Sequence, residues 1–358
     1  MGKFKVLLSL LFRVFVMSYY IKTGIIYDNK THQPVSIQGI SWFGFESDTV
    51  ILGGLDKHPI SFYFGILQKH GINSIRIPFS QEWIYYNYDF QPDPQYLSSN
   101  PILKNKKSIE ILDYVFDMAG ELNITILLDM HRLNYKEISQ IWYSIENNRY
   151  TSDTFLESWY KLLDRYHQNE NLITYGDNNP NTDWFRFSNQ TILYLNTKYR
   201  HHNWLILVQG INWGRIFPKY NNKTLLLSGR NVVYSPHTYG RSVTPTMNLD
   251  PHALYALWDQ AFGYLKSEFQ QAIIIGEWGG RTSLDTLWMS VFAKYLVENN
   301  MTNNYFWSLT PNSDDVDGFL LNDWTTIDPI KKILLQNLQF RMTKSMDSFL
   351  LPRKSGYD

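Results

Sequence analysis

The sequence predicts an α/β fold, an eight-stranded (β/α)8 barrel, and three observations carry that prediction. Short apolar runs of strand character recur along the chain, and stretches with helical spacing lie between them. No linker or internal repeat divides the 358 residues. Strand then helix, repeated, is the pattern of a parallel sheet with helical crossovers. The length suits one large barrel with insertions.

The elements follow in order. In residues 1–20, Lys3 and Lys5 precede the apolar run 6–12, which Arg13 interrupts. This resembles a secretory signal, too short and broken to span a bilayer, although a buried or amphipathic segment would read the same way. Residues 24–29 read as a hairpin strand and turn. Apolar strand runs then fall at 36–44, 74–80, 124–132, 203–210, 232–240, 272–280 and 305–311. A weaker run at 171–176 completes eight. Helical spacing occupies 109–122, 155–167, 187–201, 254–267 and 284–297. Beyond about residue 338 the periodicity is lost, so the expected organisation is 1–20, a single domain over 21–338, and a tail over 339–358.

Composition removes several function classes. Lys plus Arg and Asp plus Glu are both 33, so no net charge recruits nucleic acid or an acidic membrane. There is no Cys, which excludes disulfides, thiolate metal sites and Cys nucleophiles. No His-Glu-x-x-His occurs, and the Gly-Gly pairs at 53–54 and 279–280 lack the Lys of a phosphate loop, so no metal or cofactor is expected. The 12 Trp, 25 Tyr and 21 Phe suit a large core, and equally a cleft that stacks sugar rings on flat apolar faces.

Polar residues at strand ends carry the functional signal. Arg76 lies in the run at 74–80, His131 closes the run at 124–132, His237 and Tyr239 close that at 232–240, and Glu277 closes three β-branched residues, Ile273–Ile275. Trp307 follows Tyr305 and Phe306. A Glu at the end of a doubly buried strand has no packing reason to be there, though a salt bridge to a neighbour would account for it. All these residues sit near the carboxyl ends of different strands, the face on which barrel enzymes build their sites.

Here the residues become recognisable. The stretches SWFGFES (41–47), HGINSIRIPFS (70–80), ILLDMHR (126–132), NWLILVQGINWG (203–214), SPHTYG (235–240), IIIGEWGG (273–280) and FWSLTPNSDDVDG (306–318) are in order. Together they resemble glycoside hydrolase family 5, the retaining TIM-barrel enzymes of cellulase (endo-β-1,4-glucanase) type. The resemblance implies hydrolysis of a β-1,4-glucan by a secreted, monomeric enzyme whose partner is a polysaccharide or oligosaccharide. It makes Glu277 the nucleophile, Arg76 the cation holding it ionised, and Tyr239 its neighbour. His131 and His237 would line the cleft beside the scissile bond, and Trp307 would lie under a glucosyl ring. Trp42 and Trp213 are further stacking surfaces or, equally, core residues.

Retaining chemistry needs a second carboxyl about 5–5.5 Å from the first. In the family an Asn-Glu-Pro at the end of strand four supplies it, and no Asn-Glu-Pro occurs in this chain. The reading is that strand four is truncated and the acid/base Glu lost. Glu170 precedes the strand, and Asp177 follows it as a short substitute. Three accounts stand: an isoform or mis-joined coding sequence of an active enzyme, a non-catalytic glucan-binding relative, or an acid restored by a residue such as Asp177.

Overall fold

The computed structural model describes residues 18–138, 143–144, 149–166, 171–174, 184–217, 219–220, 223–224 and 226–338. Its centre is a ring of parallel strands: β1 (Gln38–Ser41), β2 (Ser74–Ser80), β3 (Thr125–Arg132), β4 (Asn171–Thr174) and β5 (Ile206–Gln209). The ring continues with β6 (Val232–Ser235 and His237–Tyr239), β7 (Ile275–Gly279) and β8 (Asn304–Phe306). Each strand pairs with its neighbour in sequence, and β8 pairs back onto β1. The ring closes through β6, whose first half pairs with β5 and whose second half pairs with β7. Pro236 separates the halves because it has no N–H to give the ladder, while its carbonyl accepts from Gly276 N at 2.9 Å.

Helices follow most of the strands: α1 (Ile60–Lys69), α2 (Gln81–Tyr86), α3 (Ser108–Glu121), α4 (Ser152–Tyr166) and α5 (Trp184–Lys198). After β6 come α6 (Pro251–Trp258), a π-helical turn (Asp259–Gly263) and α7 (Tyr264–Ser267). Then α8 (Thr282–Glu298) follows β7, and residues 329–338 are helical after β8. Beyond β5 the described residues hold a short hairpin, Lys219–Tyr220 with Lys223–Thr224. The helices predicted from apolar spacing lie within a few residues of those observed.

Two apolar layers hold the barrel. Leu127, Leu205, Leu207, Val233, Ile274 and Tyr305 belong to one cluster, joined by Tyr19 and Ile26 of an N-terminal hairpin (Tyr19–Lys22 with Ile25–Asp28). That hairpin begins inside the 1–20 segment. Gly39 of β1 is required here, since a Cβ would lie 2.2 Å from the Tyr305 ring, whose hydroxyl shares a 2.7 Å hydrogen bond with Ser74. The larger layer, between strands and helices, includes Trp159, Trp258, Trp278, Trp288 and Phe292.

Strand β4 has four residues, as do β1 and β5. It pairs with β3 from Ile126↔Asn171 to Asp129↔Thr174 and with β5 at Ile173↔Ile206. The strand therefore keeps its ladder to β3. Asp177 and Glu170 lie outside the described residues.

Trp42 needs a correction. It has no exposed surface, packs against Tyr63 (ring centroids 4.8 Å) and Phe64 (5.9 Å) of α1, and donates Nε1–H to Gly53 O at 3.0 Å. Strand alternation is the reason: Ile40 and Trp42 face the helices, while Ser41 faces Arg76 inside the barrel. It cannot stack on a sugar. Trp42→Ala is expected to cost about 3–5 kcal/mol in a denaturant unfolding curve and to leave the sugar affinity of the folded protein unchanged.

Candidate active site

Glu277 reaches the cleft through an irregularity in β7. Ile275 and Trp278 both pack into the helix-facing layer, although strict alternation would put residues three apart on opposite faces. The register against β8 shifts between them, and this bulge turns Glu277 inward. His131 reaches the cleft by regular alternation, on the same face as Leu127 and Asp129, and the register of β3 against β2 shifts beside it. Phe79 pairs with Met130 and Ser80 with Arg132, so His131 is the extra residue on β3.

The Glu277 carboxylate is almost fully buried and held at both oxygens. Arg76 Nη2 lies 2.6 Å from Oε1, and the Tyr239 hydroxyl donates to Oε2 at 2.6 Å. His237 Nδ1 is 3.4 Å from Oε2, and His131 Nδ1 is 3.8 Å from Oε1. Arg76 is itself fully buried on β2. Its Nη2 also bonds Asp129, and Nη1 donates to Ser41 Oγ at 3.3 Å. Asp129 lies 3.1 Å from His131 Nδ1 and accepts from Gln209 Nε2 at 3.1 Å. A relay thus runs from Gln209 on β5 through Asp129 and Arg76 to Glu277.

Burial alone would raise the Glu277 pKa. The charge of Arg76, helped by His237 and His131, reverses this and holds the group down at about 2. Burial pushes His237 down to about 4 against the pull of Glu277. Burial, then Glu277, pushes Tyr239 well above the usual phenol value. Near neutral pH these values give a carboxylate, a neutral imidazole and a protonated phenol. Asp129, His131 and Glu277 also offer three oxygen and nitrogen atoms within 4.8 Å of one another, a spacing that could suit a metal. Arg76 already supplies the cation between the two carboxylates.

Glu277, Tyr239, His237, His131 and Gln209 line a cleft of about 650 Å³, with Arg76 and Asp129 buried behind them. Trp307, half-buried on one wall, lies nearly parallel to Phe43 (ring centroids 5.4 Å) and His131 (5.7 Å), and its Nε1 donates to Ser313 Oγ at 3.1 Å. Trp213 stands exposed in the turn after β5, which also lines the cleft. Glu46 borders it too; burial raises its pKa, and its Oε2 accepts from Gly44 N at 2.7 Å.

The structure therefore gathers Glu277, Arg76, His131, His237, Tyr239 and Trp307 around one cleft, with Trp42 excluded. Sequence reasoning missed Asp129, Gln209, Phe43 and Glu46 as parts of it. Asp129 was findable, because two residues before His131 on one strand puts both on nearly the same face.

A closed (β/α)8 barrel thus carries an arginine-held carboxylate in an aromatic-walled cleft at its carboxyl rim. The family model for cellulase, glycosyl hydrolase family 5, matches residues 29–313, and the chain belongs to that family. An endoglucanase of Paenibacillus polymyxa is 31% identical over 355 residues, covering 89% of this chain and 87% of its own length. The major extracellular endoglucanase of Xanthomonas campestris is 26% identical, covering 85% and 68%. Among solved structures, an endocellulase from Pyrococcus horikoshii in complex with cellotetraose superposes with a TM-score of 0.79 at 26% identity, covering 90% of this chain and 98% of that one.

Two expectations follow. Arg76→Met leaves two carboxylates buried without their cation and should destabilise the fold by about 3–5 kcal/mol, read by chemical denaturation. The second concerns pH. His237 has its folded pKa near 4 and an ordinary value of 6.5, so between these the unfolded chain binds the extra proton and stability falls as pH drops. Glu277, near 2 against an ordinary 4.5, adds a further loss below pH 4.5. The melting temperature should decline from about pH 6.5 downward, and His237→Asn should flatten the upper part of that decline.

Proposed function

We propose that the protein is a retaining β-1,4-glucan hydrolase of endoglucanase type in which Glu277 is the nucleophile. The observation that carries this is the Glu277 carboxylate, kept ionised by Arg76 at 2.6 Å and oriented by Tyr239 at 2.6 Å beside a sugar-sized cleft. In this reading Glu277 attacks the anomeric carbon from one face. The bond to the leaving oxygen breaks, and a glycosyl ester forms that water then hydrolyses. Ionisation is essential, because the protonated acid is a poor nucleophile. Arg76 keeps the negative charge on Glu277 until the new bond consumes it. His131 and His237 meet the ring hydroxyls, and Trp307 gives the ring an apolar floor. The cellotetraose complexes of the archaeal endocellulase support a glucan as the substrate class. The word extracellular in the name of the Xanthomonas relative, together with the lysine-flanked apolar start of this chain, supports export.

A second reading has its own support in the missing Asn-Glu-Pro. General acid help is worth about 10²–10⁴ in rate, and a sugar leaves poorly without it. A cleft with its nucleophile alone would hold glucan while turning it over very slowly.

One comparison separates the readings. The protein is tested on cellotetraose and on 2,4-dinitrophenyl β-cellobioside, whose phenol departs unprotonated. Turnover of both shows a working acid/base, and Asp177→Asn should then slow cellotetraose selectively if Asp177 is that group. A burst of one phenol per active site, with cellotetraose inert, shows an intact nucleophile and a lost acid. Silence on both, with cellotetraose binding that weakens in Trp307→Ala, supports the binding protein and refutes catalysis. In either catalytic case Glu277→Gln is expected to abolish phenol release, and an unchanged rate in that variant would remove the assignment.

A further inference from the structure

We infer that Asp285, on the first turn of α8, is the positioning residue that sets the Tyr239–Glu277 contact. The inference rests on Glu277 being the nucleophile. Asp285 is completely buried. Its Oδ1 accepts from Arg241 N at 2.6 Å and Ser242 N at 3.4 Å, and its Oδ2 accepts from Ser242 N at 3.2 Å and Arg281 N at 3.1 Å. The first two donors follow Tyr239 by two and three residues at the end of β6. The third follows Glu277 by four residues at the end of β7. One carboxylate thus ties together the two chain ends that carry the hydroxyl donor and its acceptor.

The space for this clamp is written into the sequence as two glycines. A Cβ on Gly240 would lie 2.3 Å from Asp285 Oδ1, and one on Gly280 would lie 2.5 Å from Asp285 Cβ. The clamp extends to the β8 loop that borders the cleft. Arg281 Nη2 donates to Asp314 O at 2.6 Å, and Thr282 N donates to Asp317 Oδ2 at 3.2 Å. Backbone N–H groups favour an acceptor with two oxygens and full negative charge. An amide of the same shape offers one oxygen and turns an NH2 toward N–H donors.

Asp285→Asn tests this, with phenol release from 2,4-dinitrophenyl β-cellobioside as the readout of Glu277. The variant is expected to slow the burst by about tenfold or more, because small misplacements of reacting groups are costly. Its affinity for cellotetraose should stay within about twofold of the parent, since Asp285 does not line the cleft. The acid limb of the burst should move to higher pH, as Glu277 loses the Tyr239 hydrogen bond while keeping Arg76, His131 and His237 beside it. Asp315, whose charge acts on Tyr239, and Lys331, on which the Asp285 charge acts, stay in place. In a Tyr239→Phe background the same substitution should change neither rate nor limb, because the contact it positions is gone.

A parent-like rate and acid limb in Asp285→Asn would overturn the inference, as would effects that simply add to those of Tyr239→Phe. Loss of fold in both Asp285→Asn and Asp285→Ser would also overturn it, in favour of a purely architectural role. A crystal structure of Asp285→Asn reads the question without turnover. The 2.6 Å Tyr239–Glu277 contact should open beyond hydrogen-bond reach, and an unchanged contact refutes the clamp. If the parent protein gives no burst, the nucleophile reading has failed, while the crystal structure still decides the clamp.

Discussion

The structure depends on one buried cation. Arg76 sits inside the barrel with no exposed surface, and its guanidinium meets both Asp129 and Glu277. Isolated, any of the three charges would be untenable at that depth. Together they form a triad whose net charge is a single negative, and the remaining oxygens are met by His131, Gln209, Tyr239 and His237. Strands β2, β3, β5, β6 and β7 each contribute to this set, so the polar centre and the barrel specify each other. A barrel with another strand order would leave at least one of these charges without its partner.

Regular strands would not have built this site. The bulge in β7 brings Glu277 inward between two residues that face the helices, while His131 keeps the inward face of Leu127 and Asp129 by ordinary alternation. Pro236 divides β6 so that its second half, with His237 and Tyr239, can pair with β7. Both irregularities fall near the carboxyl ends of strands, where the chain gives up ladder regularity and gains control over side-chain direction. The lower barrel, filled by Leu127, Leu207, Ile274 and Tyr305, carries the compensating apolar burial.

Much of this was legible in the residues. Apolar runs separated by helical spacing are a strong signal, because a doubly covered strand must be apolar throughout and a surface helix must be striped. A lone Glu after Ile273–Ile275 and a His closing ILLDMHR stood out because such strands otherwise exclude polar groups. Other features were hidden for definite reasons. Trp42 stayed open between cleft and core because the direction of a strand-end side chain depends on register, which composition does not encode. Asp129 was masked by its neighbour His131, and Gln209 by a strand with nothing else polar in it. Asp285 lies in an ordinary helix first turn, where an acidic residue needs no special explanation. Only the return of two chain ends to one carboxylate reveals what it holds.

The N-terminal hairpin gives the molecule a sealed floor. Tyr19 and Ile26 pack with the lower barrel residues, and Tyr19 N bonds Asn203 O at 3.2 Å. Among the described residues, this end of the barrel is filled by apolar side chains. The cleft lies at the other end, where Glu277, Tyr239, His237 and Trp307 line it. With the hairpin end filled by packed side chains, a ligand or solvent molecule meets Glu277 from the cleft side, past Trp307 and Tyr239.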